Sequence, residues 1–148
     1  MGLGTMFHEI EKSSWQQAFP DFSILVGQTI TGVSGFEKGS GEIVIETQEG
    51  NVYKLYHEQD CCENVCVEDI DGTTSDLVGG LVLSAEEVSG ETPSDYIWDY
   101  EPESYTWTFY KIATTKGSVF IRWLGESNGC YGEGVSFCDV NKYKSRYN

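Results

Sequence analysis

Basic residues are scarce in this chain. Nine lysines and arginines stand against 24 aspartates and glutamates, giving a formal charge of −15 and an isoelectric point near 4.3. Such a field repels nucleic acid and anionic membranes and draws the protein toward basic surfaces. The few cations are also scattered, so no nucleic-acid groove and no direct nucleic-acid binding is expected. Proline is scarce as well, with three residues against 17 glycines. That ratio favours tight turns between short strands over a flexible linker. No apolar run approaches the ~18 residues of a membrane span, and no membrane association is expected. Met1 to Met6 carry neither a basic n-region nor an apolar h-region, so a signal peptide is not expected and the location is read as cytoplasmic. Phosphate-loop, dinucleotide and nucleophile-elbow motifs are absent, as are repeats of solenoid or propeller period. Five cysteines, an odd number, are expected as reduced thiols and not as a disulfide framework.

What is present fits one domain over residues 1–148, with 39% hydrophobic and 14% aromatic residues, enough to bury a core without metal or disulfide. Residues 1–5 are expected to be a disordered or added lead, since Met6 is an equally good start. Residues 6–19 read as a helix: Phe7, Ile10, Ser14, Trp15, Ala18 and Phe19 recur at three- and four-residue steps, and Pro20 ends the run. A short turn follows from Asp21 to Val26. The pattern then changes to period two. Glu42 to Thr47 and Asn51 to His57 flank Gln48-Glu49-Gly50, a hairpin signal. Strands are further expected at Thr29 to Phe36, Asn64 to Ile70, Leu81 to Val88, Ser104 to Thr114, Ser118 to Leu124 and Gly134 to Val140. The fold class is therefore α+β: a mainly antiparallel twisted sheet with a short amino-terminal helix. The rows Tyr105, Trp107, Phe109 and Val119, Ile121, Trp123 are expected to supply the core, and 141–148, with Lys142, Lys144 and Arg146, a frayed basic tail.

Two segments carry the chemistry. Ser89 to Glu103 has no basic residue but holds Glu91, Asp95, Asp99, Glu101 and Glu103 interleaved with Tyr96, Ile97, Trp98 and Tyr100. That is the composition of a binding loop, or of a flap whose aromatics fold back onto the sheet. The second segment is Tyr56-His57-Glu58-Gln59-Asp60-Cys61-Cys62-Glu63. His57, Cys61, Cys62 and Cys66 have zinc-ligand chemistry, and Cys62 and Cys66 the right spacing, but no second cysteine pair accompanies them. Extended backbone would point Cys61 and Cys62 to opposite faces. A Cys–His nucleophile pair at His57 and Cys61 or Cys62 is the catalytic alternative, without a glycine motif for an oxyanion hole. Buried free thiols beside a hydrogen-bonded turn are the favoured reading, so no cofactor is expected.

The run His57 to Glu63, followed by Val67-Glu68-Asp69-Ile70-Asp71-Gly72, resembles a family of small phage and prophage proteins of unknown function. Ala85-Glu86-Glu87-Val88, Ser104 to Tyr110 and Ile121 to Gly129 extend the resemblance over roughly residues 25–140. It implies a phage or prophage accessory protein in the cytoplasm of a bacterial host. Many such proteins antagonise host defence by binding. Together with the acidity, this gives a non-enzymatic binder whose expected partner is a host protein with a basic, nucleic-acid-binding surface. The expected contact residues are Asp95, Tyr96, Trp98, Asp99, Tyr100 and Glu101 in one cluster, and Glu58, Asp60 and Glu63 in another. The alternatives are a nucleotide-sequestering protein, for which basic residues are few, and a metalloprotein or enzyme using the region from His57 to Cys66.

Overall fold

The computed structural model describes residues 14–145. In them the strands are β1 (Ile30–Ser34), β2 (Glu42–Thr47), β3 (Val52–Tyr56), β4 (Asn64–Asp71), β5 (Val82–Gly90), β6 (Ser104–Thr114), β7 (Ser118–Ser127) and β8 (Ser136–Asp139). Every pairing is antiparallel, as expected. They form two sheets, however, not one: β1-β2-β3-β8 and β4-β7-β6-β5. The chain crosses between the sheets after β3, through residues 57–63, and returns after β7, through residues 128–135. Backbone hydrogen bonds join the sheets at their corners, from Gly27 to Val82, from Val82 to Gln28, and from Val67 to Ser40.

The hairpin read at Gln48-Glu49-Gly50 joins β2 to β3, with Gly50 at φ 89°, where a residue with a Cβ would be strained. Alternation places Ile43, Ile45, Tyr53, Leu55 and Phe137 of one sheet against Val65, Val67, Tyr110, Ile112, Val119, Ile121 and Trp123 of the other. Each large side chain fully buried this way stabilises by roughly 1.5–3 kcal/mol relative to exposure. A bulge between Val67 and Asp69 breaks the β4 alternation. Ile70, not Asp69, therefore joins the face of Val65 and Val67.

Register corrects the core assignment of β6. Thr108, Tyr110 and Ile112 stand opposite Trp123, Ile121 and Val119, and cross-strand partners share a face. With that β7 row in the core, Tyr105, Trp107 and Phe109 must face outward. Trp107 is nonetheless only 1% exposed, so something outside the two-sheet core covers it.

Helix α1 (Ser14–Ala18) lies within the predicted 6–19 helix, whose earlier part is outside the described residues. The turn after Asp21 is a 3-10 segment, Phe22–Leu25, with the Asp21 carboxylate accepting from the Ser23 N–H. The expected basic tail is instead helix α2 (Val140–Ser145) as far as it is described. Its start is capped by Asp139, which accepts from the Lys142 N–H at 3.1 Å, and its Tyr143 meets Phe19 edge-on at 5.9 Å. Among the described residues no helix is long and apolar enough to cross a membrane.

Candidate functional site

The cover over Trp107 is the acidic segment between β5 and β6. Tyr96 stands edge-on to Trp107 at 4.9 Å and to Trp98 at 4.8 Å, and Trp98 packs on Tyr105 at 4.8 Å. The Trp107 Nε1–H donates to Thr92 Oγ1 at 3.0 Å. Arg122, outward-facing on β7, ties the loop from the other side. Its Nη1 donates to Asp95 Oδ1 at 3.1 Å, its Nε donates to Glu68, and its guanidinium lies 5.9 Å from the Trp107 ring. Hydrogen bonding to Glu68, and then to Asp95, pushes Arg122 above its ordinary value against the effect of burial. It is a fixed cation, and its fork is occupied by carboxylates.

The predicted loop residues therefore separate into two groups. Tyr96, Trp98 and Asp95 hold the loop to the sheet. Asp99, Tyr100 and Glu101 face solvent, with Tyr100 83% exposed. Ile97, absent from the predicted contact set, is 85% exposed beside them. Alternation was the available signal: with Tyr96 and Trp98 turned inward, the residue between them must turn outward.

The second segment forms the crossover from β3 to β4, and its centre is buried. Glu63 is 4% exposed. Its carboxylate accepts from His57 Nε2 at 2.8 Å, from the Asp60 N–H at 2.9 Å and from the Cys61 N–H at 2.8 Å. The His57 bond, opposed by burial and reinforced by the backbone donors, lowers the Glu63 carboxyl to about 2. On the other side of the ring, His57 Nδ1 donates to the Gly134 carbonyl at 2.7 Å. Both ring nitrogens are engaged, which fixes the orientation of the ring, and the Nδ1 bond to Gly134 joins one inter-sheet crossover to the other.

That arrangement bears on each chemical reading of the segment. Both ring nitrogens of His57 are taken, by Glu63 and by the Gly134 carbonyl, so His57 is not placed as a base for Cys61 or Cys62. Cys66 lies on β4, half-buried, and burial raises its thiol. Among the described residues no group of three or more histidines, cysteines or carboxylates is placed to hold a metal. Of the predicted contact carboxylates here, Glu63 is inside the turn. Glu58 accepts from the Tyr56 hydroxyl at the surface, and Asp60 is exposed.

Cys61 and Cys62 are both exposed, and their Sγ atoms lie 2.7 Å apart. Neither the expected burial nor the expected opposite-face placement holds, because the chain bends where the amides of Asp60 and Cys61 turn in toward Glu63. The bond to Cys61, followed by desolvation, pushes the Cys62 thiol up. A second buried carboxylate, Glu133, supports the return crossover. Burial raises it, and hydrogen bonds from Ser127, Ser104 and Thr106 outweigh that effect, so it ends below its ordinary value.

A groove of about 570 Å³ on the β4-β7-β6-β5 sheet is lined by Asp71, Asp76 and Glu86, with Lys111 as its cation. Its lining is the wrong sign for a phosphate. No curated protein and no solved structure matches the chain. Residues 23–137 match the family described as a domain of unknown function, DUF7448, and the chain belongs to that family.

Proposed function

We propose that this protein is a non-enzymatic binder, a phage or prophage accessory protein that docks the loop between β5 and β6 onto a basic surface of a host defence protein and excludes nucleic acid from it. One observation carries the reading. Ile97 and Tyr100 stand 85% and 83% exposed on a loop that Tyr96 and Trp98 fasten to the Trp107 platform. Exposed apolar side chains on a held loop supply anchoring area at low ordering cost. Asp99, Glu101 and Glu103 around them are exposed and supply attraction toward a cationic partner. The other acidic cluster is less free: Glu63 is paired with His57, Glu68 with Arg122, and Asp76 accepts from the Thr73 N–H. The phage context and the defence-protein partner rest on the sequence resemblance and the charge.

The test uses immobilised protein and bacterial lysate, with captured proteins eluted by duplex DNA or by RNA. A partner of the proposed kind is retained by the wild type, released by nucleic acid, and lost with Ile97→Ala/Tyr100→Ala and with Asp99→Lys/Glu101→Lys. Both variants leave the Asp95–Arg122 contact intact. Raised salt weakens capture, because the attraction is screened beyond about 10 Å at 0.1 M. Retention by both variants, or indifference to nucleic acid, defeats the proposal.

A further inference from the structure

The exposed tip of the β3–β4 crossover holds a feature that the loop reading does not use. From the contact of Cys61 Sγ and Cys62 Sγ at 2.7 Å, on an exposed turn whose backbone is fixed by Glu63, we infer that Cys61 and Cys62 form a dithiol site for exchange with small disulfides. The separation is within about 0.7 Å of a disulfide bond, ~2.05 Å. The amide bonds of Asp60 and Cys61 to the buried Glu63 carboxylate set the bend that gathers the two sulfurs. Gln59 Nε2 adds a bond to the Cys61 carbonyl at 3.1 Å. Tyr131, from the return crossover, is pushed above its ordinary value chiefly by the Cys61 thiol beside it. Both inter-sheet crossovers therefore meet at this pair.

The chemistry balances with a low-molecular-weight disulfide, RSSR, as oxidant. The Cys61 thiolate attacks one sulfur of RSSR, forming a mixed disulfide and expelling RS⁻. The Cys62 thiolate then attacks the Cys61 sulfur, forming the Cys61–Cys62 bond and expelling the second RS⁻. The two thiol protons end on the two released thiolates, and the two electrons lost by the cysteines reduce RSSR to two RSH. The neighbouring carboxylates Glu58 and Asp60, together with the formal charge of −15, select against anionic disulfides. The site favours neutral or cationic ones.

The experiment treats the full chain with neutral bis(2-hydroxyethyl) disulfide, quenches with acid, alkylates under denaturing conditions and analyses peptides by mass. In the wild type, the peptide holding Cys61 and Cys62 should lose two hydrogens, carry no alkyl group and be restored by a reducing dithiol. Cys61→Ser and Cys62→Ser should each stop at the mixed disulfide on the remaining thiol. Closure should be several-fold faster in native protein than in guanidinium-unfolded protein, and oxidised glutathione should react more slowly than the neutral reagent. A stable mixed disulfide in the wild type, pairing with Cys130 instead, or equal rates in folded and unfolded chains would overturn the assignment.

Discussion

Replacing Trp107 with alanine tests the central feature of the fold, a platform outside the two-sheet core. The ring is 1% exposed, although it lies on the face away from Ile121 and Trp123. Its neighbours are Tyr96 at 4.9 Å, Trp98 at 6.1 Å and Phe109 at 6.3 Å, and its N–H is bonded to Thr92. Trp→Ala at a buried site costs about 3–5 kcal/mol, with the value set by how far the surroundings can collapse. Here one wall is a loop, which can settle into the space, so the lower end, about 3 kcal/mol, is expected. Trp107→Phe keeps a ring but loses the Thr92 bond and should cost less than the alanine variant, at least the ~0.5–1.5 kcal/mol of the hydrogen bond. Urea unfolding followed by far-ultraviolet dichroism gives both values. Limited proteolysis supplies the second readout: cleavage within residues 91–103 should appear in Trp107→Ala and not in the wild type. If Trp107→Ala unfolds within about 1 kcal/mol of the wild type and the loop stays protected, Trp107 is not what holds it.

The remaining predictions concern charge, pH and close packing. Neutralising Asp95, Asp99 and Glu101 together should cost less than about 1 kcal/mol, because only Asp95 has a charged partner and its side chain is 71% exposed; matched urea titrations of Asp99→Asn/Glu101→Gln should show no change. Glu63 titrates near 2 in the folded protein against 4.5 ordinarily, so the unfolded chain binds the extra proton between those values. Its contribution is therefore complete above that window and lost as pH falls through it; urea midpoints measured from pH 6 to pH 2 should fall more steeply for the wild type than for Glu63→Gln. A Cβ on Gly125 would lie 2.2 Å from the Glu133 carbonyl oxygen, so Gly125→Ala must displace backbone and should lower stability by at least ~1–3 kcal/mol, read by thermal unfolding.

Elements were legible in the sequence where one signal acted alone. Gln48-Glu49-Gly50 marked its hairpin, and Val119, Ile121 and Trp123 marked the core row of β7. The face of β6 was not legible, because both of its rows are rich in large apolar side chains. The choice depends on what β7 and the loop present to it, which is non-local. The β4 bulge has no glycine to announce it. Two sheets looked like one because a crossover and a long hairpin loop have similar composition. At the 57–63 turn the residue types were plain and the roles were not. The second partner of His57 is the Gly134 carbonyl, 77 residues away, and a backbone oxygen leaves no sequence signature.

The division of carboxylates bears on how such an acidic chain can bind selectively. Net charge alone speeds encounter with any cationic surface and distinguishes poorly among them. Here part of the acidity is withdrawn from the surface: Glu63 faces His57, Glu68 faces Arg122, and Glu133 faces hydroxyl donors. These groups hold the crossovers and the loop base, while Asp99, Glu101 and Glu103 stay exposed around the apolar pair Ile97 and Tyr100. On the proposed docking, long-range attraction sets the rate of encounter. Retention depends on whether the partner offers a slot for the two exposed side chains, because truncating buried anchors acts mainly on dissociation. Asp99→Lys/Glu101→Lys should therefore slow association and flatten its salt dependence, whereas Ile97→Ala/Tyr100→Ala should speed dissociation at nearly unchanged association rate. Surface-plasmon traces of the two variants on one captured partner separate the effects. If both variants change only the association rate, charge alone binds the partner and the apolar centre has no part in recognition.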